Sequence, residues 1–250
     1  MKKITLLTLL VCAAVAVHAQ TTVITSADAR IDGGSPTSNF GSSSGPDELF
    51  VRDGGGNANN HEKSYLQFDV GGVLAAGESF DNASFVLSTR PNQSVSSLDI
   101  TITIWGIVDN NDSWTETGIT WNNAPANDTT SGSDVLDNAS FDTVELATLT
   151  ANLQPDTSYS FTDARLTEYL NWTAGAIADP YGNGASSDTV ATIIVTSTGG
   201  NQALGRFWAR EDTGVSQPRL DLAVIPEPAT AGLALGGIAL LGLLVLRRRR

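Results

Sequence analysis

A serine nucleophile needs an imidazole beside it, and a metal site usually needs more than one. His18 falls in an apolar leader, which leaves His61 as the sole histidine of the body, read as a solvated residue of the asparagine-rich loop Asn57 to Glu62. Cys12, the one cysteine, lies in the same leader, so thiolate zinc sites, cysteine nucleophiles and disulfides are excluded from the rest. Carboxylates are plentiful, but no spacing singles out the paired acids of a glycosidase. A lyase would add a base and cations that neutralise a uronate, for which Lys63 and seven arginines remain. No catalytic residue is assigned and a non-enzyme is expected, with a polysaccharide-active enzyme (glycoside hydrolase or lyase) as the alternative. No cofactor is required. Calcium is the ion the loops suit, with Asp109, Asn111 and Asp112 as the candidate loop and Asp53 to Asn57 as a second oxygen-rich stretch. The first is not an EF-hand, because Trp114 stands where the sharp turn requires glycine.

Aromatic rings are the stronger lead, since sugars stack their apolar faces on rigid planes flanked by polar groups. Trp105, Trp172 and Tyr181 are the candidate stacking residues. Trp105 continues the Asp99, Thr101, Thr103 side of its segment, while Trp172 and Tyr181 lie at and after a helix, near turn-rich sequence. Trp114, Trp121 and Trp208 read as packing residues.

The elements that must position these groups are mostly strands. Leu98, Ile100, Ile102 and Ile104 alternate with Asp99, Thr101 and Thr103, and Leu66, Phe68 and Val70 alternate with Tyr65, Gln67 and Asp69. Phe85 with Leu87, Val144 with Leu146, the run Thr192 to Val195, and Leu220 with Leu222 repeat the period of two. Many half-buried strands at short spacing imply a sandwich. One helix interrupts them: Asp163 caps it, Leu166, Tyr169, Leu170 and Thr173 follow helical spacing, and Gly175 ends it.

The ends concern location. Lys2 and Lys3, the apolar run Ile4 to Val17, and Val17-His18-Ala19 form a secretory signal, with cleavage expected between Ala19 and Gln20. A lipidated Cys12 is the alternative, disfavoured by the bulk of Val11. At the other end Ala229 to Leu246 carries no charge, is just long enough to cross a bilayer as a helix, and is followed by Arg247, Arg248, Arg249 and Arg250, which stay cytoplasmic. Two of the 14 basic residues lie in the leader and four in the tail, against one of the 27 acidic residues, which leaves the exported part at −18. That charge excludes nucleic acid as a partner, whose affinity comes from cations on phosphates.

Two resemblances refine this reading. Pro226-Glu227-Pro228 before an apolar run and an arginine cluster resembles the PEP-CTERM sorting tail of Gram-negative bacteria. In that family a membrane-embedded exosortase recognises the tail and cuts near the Pro-Glu-Pro, so the resemblance implies a membrane-held intermediate that is then released; a permanent tail anchor is the alternative. Ser26-Ala27-Asp28-Ala29, Asn39-Phe40-Gly41, Leu49-Phe50-Val51 and Ser64 to Asp69, then Trp114-Thr115-Glu116, Ile119 to Pro125, Phe207 to Asp212 and Pro218-Arg219-Leu220, look like the DNRLRE family. Its members are secreted or surface jelly-roll sandwiches; some are carbohydrate-binding modules, including alginate binders, and some are related to disaggregatases. This chain departs from that pattern at Tyr65-Leu66-Gln67, where the family often carries a basic residue.

The expectation is an all-β, jelly-roll-like β-sandwich with one short helix, plus an N-terminal signal peptide and a C-terminal transmembrane helix. Its parts are a signal peptide over 1–19, a DNRLRE-like domain over 20–224 and a sorting tail over 225–250, with the membrane segment at 229–246 and the basic end at 247–250. The expected role is that of an exported surface or exopolysaccharide-matrix protein of a Gram-negative bacterium, handled by signal peptidase and exosortase, held in the inner membrane before cleavage, with extracellular polysaccharide as its partner.

Overall fold

Alternation around Phe68 and around Ile102 does produce strands, and they lie at the centre of the larger of two sheets. The computed structural model describes residues 19–41, 48–55, 57–93, 99–108, 113–129, 136, 143–183, 189–198, 204–211 and 216–225. The leader, the candidate calcium loop Asp109, Asn111 and Asp112, the motif Pro226-Glu227-Pro228, the run 229–246 and Arg247 to Arg250 lie outside the described residues. No helix among the described residues is long and apolar enough to cross a membrane.

In chain order the elements are β1 (Ala19–Ile24), β2 (Ala27–Asp32), β3 (Glu48–Arg52), β4 (Glu62–Asp69), β5 (Ser79–Ser88), β6 (Ile100–Ile107), β7 (Thr143–Ala151), β8 (Ser158–Phe161), α1 (Ala164–Thr173), β9 (Val190–Thr198), β10 (Leu204–Trp208) and β11 (Arg219–Ile225). Among the described residues, one antiparallel sheet runs β1-β11-β5-β8 and the other β10-β3-β4-β9-β6-β7, with β2 added beside β4. The two sheets face one another in a sandwich-like arrangement. Leu66 and Phe68 of β4, Phe85 and Leu87 of β5, Ile102 and Ile104 of β6, Ile193 and Val195 of β9, Phe207 of β10, and Leu220 and Leu222 of β11 fill the space between them. Phe68 meets Phe85 edge-on at 5.8 Å across that core, the arrangement ring quadrupoles favour.

The period of two suggests one wet face for the large sheet, and here the structure differs. Tyr65 on β4 and Ile194 on β9 point away from the sandwich core, yet both are fully buried. They belong to a second cluster in which Trp114, Ile119, Trp121 and Ala124 fold over Ala29 and Ile31 of β2. Polar pins hold this cap. The Tyr65 hydroxyl donates to the Pro125 carbonyl at 2.9 Å, Trp114 Nε1 to Thr192 Oγ1 at 3.3 Å, and Asn39 Nδ2 to the carbonyls of Glu116 and Ile119 at 2.8 and 2.7 Å. Gly41 completes the fit, since a Cβ there would sit 2.2 Å from the Glu116 carbonyl oxygen. Asn39-Phe40-Gly41 and the Trp114 to Pro125 stretch are thus two halves of one contact.

Helix α1 follows its signals closely. Asp163 caps it by accepting from the Arg165 N–H at 2.9 Å, Leu166, Tyr169, Leu170 and Thr173 are buried, and Gly175 takes φ +71 just after the end. The helix is locked to the small sheet by Asn171, whose Oδ1 accepts from the Phe80 N–H at 2.8 Å and whose Nδ2 donates to the Phe80 carbonyl at 2.9 Å. Replacing that amide leaves a buried donor and a buried acceptor unsatisfied. Asn171→Ala is therefore expected to lower unfolding free energy by about 2 kcal/mol, read as a lower midpoint in urea with an unchanged slope.

Candidate functional site

Outward positions of β3 and β10 alternate with core residues: Leu49, Val51 and Phe207 point inward, so Glu48, Phe50, Arg52, Arg206 and Trp208 point out. The register sets Arg206 beside Phe50 and Trp208 beside Glu48. Arg30 of β2 reaches the same face, its guanidinium 4.4 Å from the Phe40 ring centre and 4.2 Å from that of Phe50. Arg90, just past β5, lies 4.1 Å over the Trp208 ring. Its strand end is tied down by Gln93, which accepts from the Arg206 N–H at 2.7 Å and donates to the Leu204 carbonyl at 2.9 Å.

Two carboxylates space the four guanidiniums. Glu48 bridges Arg90 at 3.0 Å and Arg206 at 3.9 Å, and Glu62 bridges Arg30 at 3.5 Å and Arg52 at 3.8 Å. Burial pulls the Arg30 pKa below the usual guanidinium value and pushes Glu62 above the usual carboxylate value; in each case their mutual attraction opposes the shift. The arginine side chains remain between 12 % and 32 % exposed. Half of the basic residues left after removing the two ends gather here, with four positive groups against two bridging negatives, beside half-buried Phe40 and Trp208. Guanidiniums held over rings present a fork that suits a carboxylate. No period or motif in the sequence connects positions 30, 52, 90 and 206; only the fold brings them together.

The rings singled out from sequence fare differently. Trp172 is 3 % exposed, stacked edge-on to Tyr181 at 5.3 Å and tilted against Tyr169 at 6.0 Å. Buried as the helix's core-facing ring, Trp172 offers no platform, which corrects that expectation. Tyr181 is half-buried, its hydroxyl pushed up to about 12 by desolvation and by the nearby Glu168 and Asp179 carboxylates. Trp105 lies on the outward side of β6 as its alternation implies, half-buried, with Nε1 donating to Thr196 Oγ1 at 3.0 Å. Trp172 and Tyr181 are brought together, while Trp105 packs against the second cluster. Trp114 and Trp121 are buried packing residues, but Trp208 is part of the arginine face. His61 is not solvated: it is fully buried, and its Nδ1 accepts the Gly54 N–H at 2.8 Å, which makes it an acceptor closing the turn over Asp53.

A second ionic group lies where β2, the Trp114 stretch and the segment after β10 converge. Carboxylate oxygens of Asp28, Glu116 and Glu211 lie within 4.8 Å of one another. Arg210 joins them, donating from its backbone N–H to Asp28 at 2.7 Å and from its guanidinium to Glu116 at 2.7 Å and Glu211 at 3.1 Å. The guanidinium supplies the countercharge that a cation would bring, so this group works as a clasp between three segments. Burial, opposed by the Arg210 N–H and reinforced by Glu211 and Glu116, pushes Asp28 up to about 7. The folded chain thus holds a proton near pH 7 that the unfolded chain releases near 3.8. Stability from this group is full below pH 3.8 and is lost as pH rises through 7. Thermal melts are expected to show a midpoint that falls between pH 5 and 8 by the equivalent of a few kcal/mol, and a flatter profile in Asp28→Asn, which keeps the acceptor for Arg210.

Comparison with known proteins bears on the arginine face and on the tail. No curated protein matches the chain. A PEP-CTERM protein-sorting motif matches residues 224–250, so the sorting tail is shown at family level. The family of carbohydrate-binding module family 96 matches residues 19–164, from β1 through β8, and the DNRLRE-like reading is consistent with it. The match takes in Arg30, Arg52, Arg90, Phe40 and Phe50, and leaves Arg206 and Trp208 to β10 beyond it. With more than half of its length inside that match, the chain belongs to carbohydrate-binding module family 96.

Proposed function

We propose that this chain is a non-catalytic binder of extracellular polysaccharide, exported by its leader, held in the inner membrane by its tail and then released by an exosortase to the cell surface or its polysaccharide matrix. The carbohydrate-binding family and the sorting motif support the coarse reading of an exosortase-sorted extracellular carbohydrate-binding protein. The finer reading rests on one observation, the face on which Arg30, Arg52, Arg90 and Arg206 lie among Phe40, Phe50 and Trp208. Its chemistry suits a polyuronate: guanidiniums pair with the carboxylates, while the rings beneath hold Arg30, Arg90 and Arg206 in place.

The overall charge of −18 in the exported part sets a limit on this face. A polyanion is repelled at long range, so attraction must act within a Debye length of about 8 Å at physiological salt. The arginines meet that condition because each is already oriented by a carboxylate, and Arg30, Arg90 and Arg206 by a ring as well, which lowers the ordering cost of contact. The ligand is met by a small cationic area rather than by the whole surface.

The test is affinity electrophoresis of the full chain, solubilised in a non-glycosidic detergent, through gels containing polyuronate or a neutral glucan, with a parallel assay for unsaturated or reducing-end products. Retardation by polyuronate without product is expected, with affinity reduced about tenfold in Arg90→Gln and in Arg206→Gln. Product formation, or retardation unaffected by both substitutions, would overturn the proposal.

A further inference from the structure

The tail leaves the sandwich with no spacer. Ile225 is still paired, to Ser79 at the start of β5, and the uncharged run begins at Ala229. Four residue steps reach at most about 14 Å even when fully extended. Where that run is held in a bilayer, as proposed above, the end of the sandwich carrying Ile225 lies at the membrane face.

The loop joining β4 to β5 stands at that end, because Ser79, the partner of Ile225, directly follows it. Its residues 71–77 read Gly-Gly-Val-Leu-Ala-Ala-Gly, without a charge. Gly71, Gly72, Ala75, Ala76 and Gly77 are exposed, while Val73 and Leu74 are half-buried and rest on the core. Local bonds hold the loop's shape. Val73 N–H donates to the Val70 carbonyl at 3.4 Å and Glu78 N–H to that of Ala75 at 3.0 Å. The two flanking acids bond into the loop, Asp69 accepting from Gly71 N–H at 2.9 Å and Glu78 from Ala75 N–H at 2.8 Å. With no charged side chain of its own, the loop loses little on entering the headgroup region, where water and headgroups can still bond its backbone. The arginine face lies at the other end of the same strands: Glu62 and Arg52 meet at the start of β4, and Arg90 follows the end of β5.

The geometry points to a seat on lipid: residues 71–77 rest in the headgroup region of the bilayer that holds the tail, and the sandwich stands on that end, with its arginine face on the side of the sheet toward the far end of the strands. Before release, the ligand-binding face is thereby presented outward rather than pressed against the membrane. The tail supplies the local concentration, so the loop contributes orientation more than affinity.

The test uses the full chain in a Cys12→Ser background, reconstituted in vesicles of phosphatidylethanolamine and dibrominated phosphatidylcholine. Single cysteines at Ala75→Cys, Ala76→Cys, Asn92→Cys and Gly237→Cys carry an environment-sensitive fluorophore. The loop labels are expected to be quenched at least about twofold by the brominated lipid, with the Asn92 label unaffected. Quenching at Gly237 with loop labels as exposed as the Asn92 label would overturn the seat alone. An unquenched Gly237 label would overturn both the seat and the membrane reading of the tail on which it rests.

Discussion

The middle of the larger sheet, β4 and β9, is buried on both faces, and the rest of the molecule is arranged around that constraint. A strand covered on both sides must satisfy polar side chains as well as bury apolar ones. On β4 this is done residue by residue: Leu66 and Phe68 enter the sandwich, Tyr65 bonds the Pro125 carbonyl beneath the cap, and Lys63, fully buried, donates to Asn127 Oδ1 at 2.8 Å while lying 5.1 Å from the Trp121 ring. The cap residues have no regular secondary structure of their own, so their stability comes from the sheet they cover. Folding the cap down also carries Glu116 to Arg210 and Asp28, and so joins it to both β2 and the segment after β10.

The arginine face shows how a strongly acidic domain can still offer a cationic surface. Isolated surface ion pairs contribute little, but these carboxylates serve a different purpose. Each stands between two guanidiniums and relieves their repulsion, and rings lie beneath Arg30, Arg90 and Arg206. What remains exposed is the edge of each fork. Such a surface discriminates by geometry, since a planar carboxylate matches the fork and a hydroxyl does not.

Local patterns carried the strands and the helix into view, because each depends on neighbours in sequence. The Ile100, Ile102, Ile104 alternation, the Asp163 cap and the Gly175 stop all operate within one element. The second cluster was hidden, since Tyr65 and Ile194 look like outward residues until a distant loop covers them. His61 was misread for the same reason: an asparagine-rich stretch signals solvent, but its own turn closes around the ring. Trp172 sits one position from Asn171, where periodicity separates ring from polar face only loosely, and both are buried. The arginine face was illegible because its members come from β2, β3, β10 and the turn after β5. A visible hint was present all the same, in the spacing of Arg206 and Trp208 around the core residue Phe207.

The pairing of β1 with β11 joins Ala19 to Val224 and seats β11 between β1 and β5. A chain threaded outward from its N-terminus therefore has to wait for nearly all of its length before the small sheet can close, and contacts of such sequence separation are slow to form. Until then β1 lacks its only described partner and the apolar faces of β5 and β8 stand open. The chain thus passes through an interval in which these edges and faces are open to other chains and to proteases. The strand that closes the small sheet is also the one that runs into the sorting motif, so completion of the fold and arrival of that motif fall at the same point of the chain.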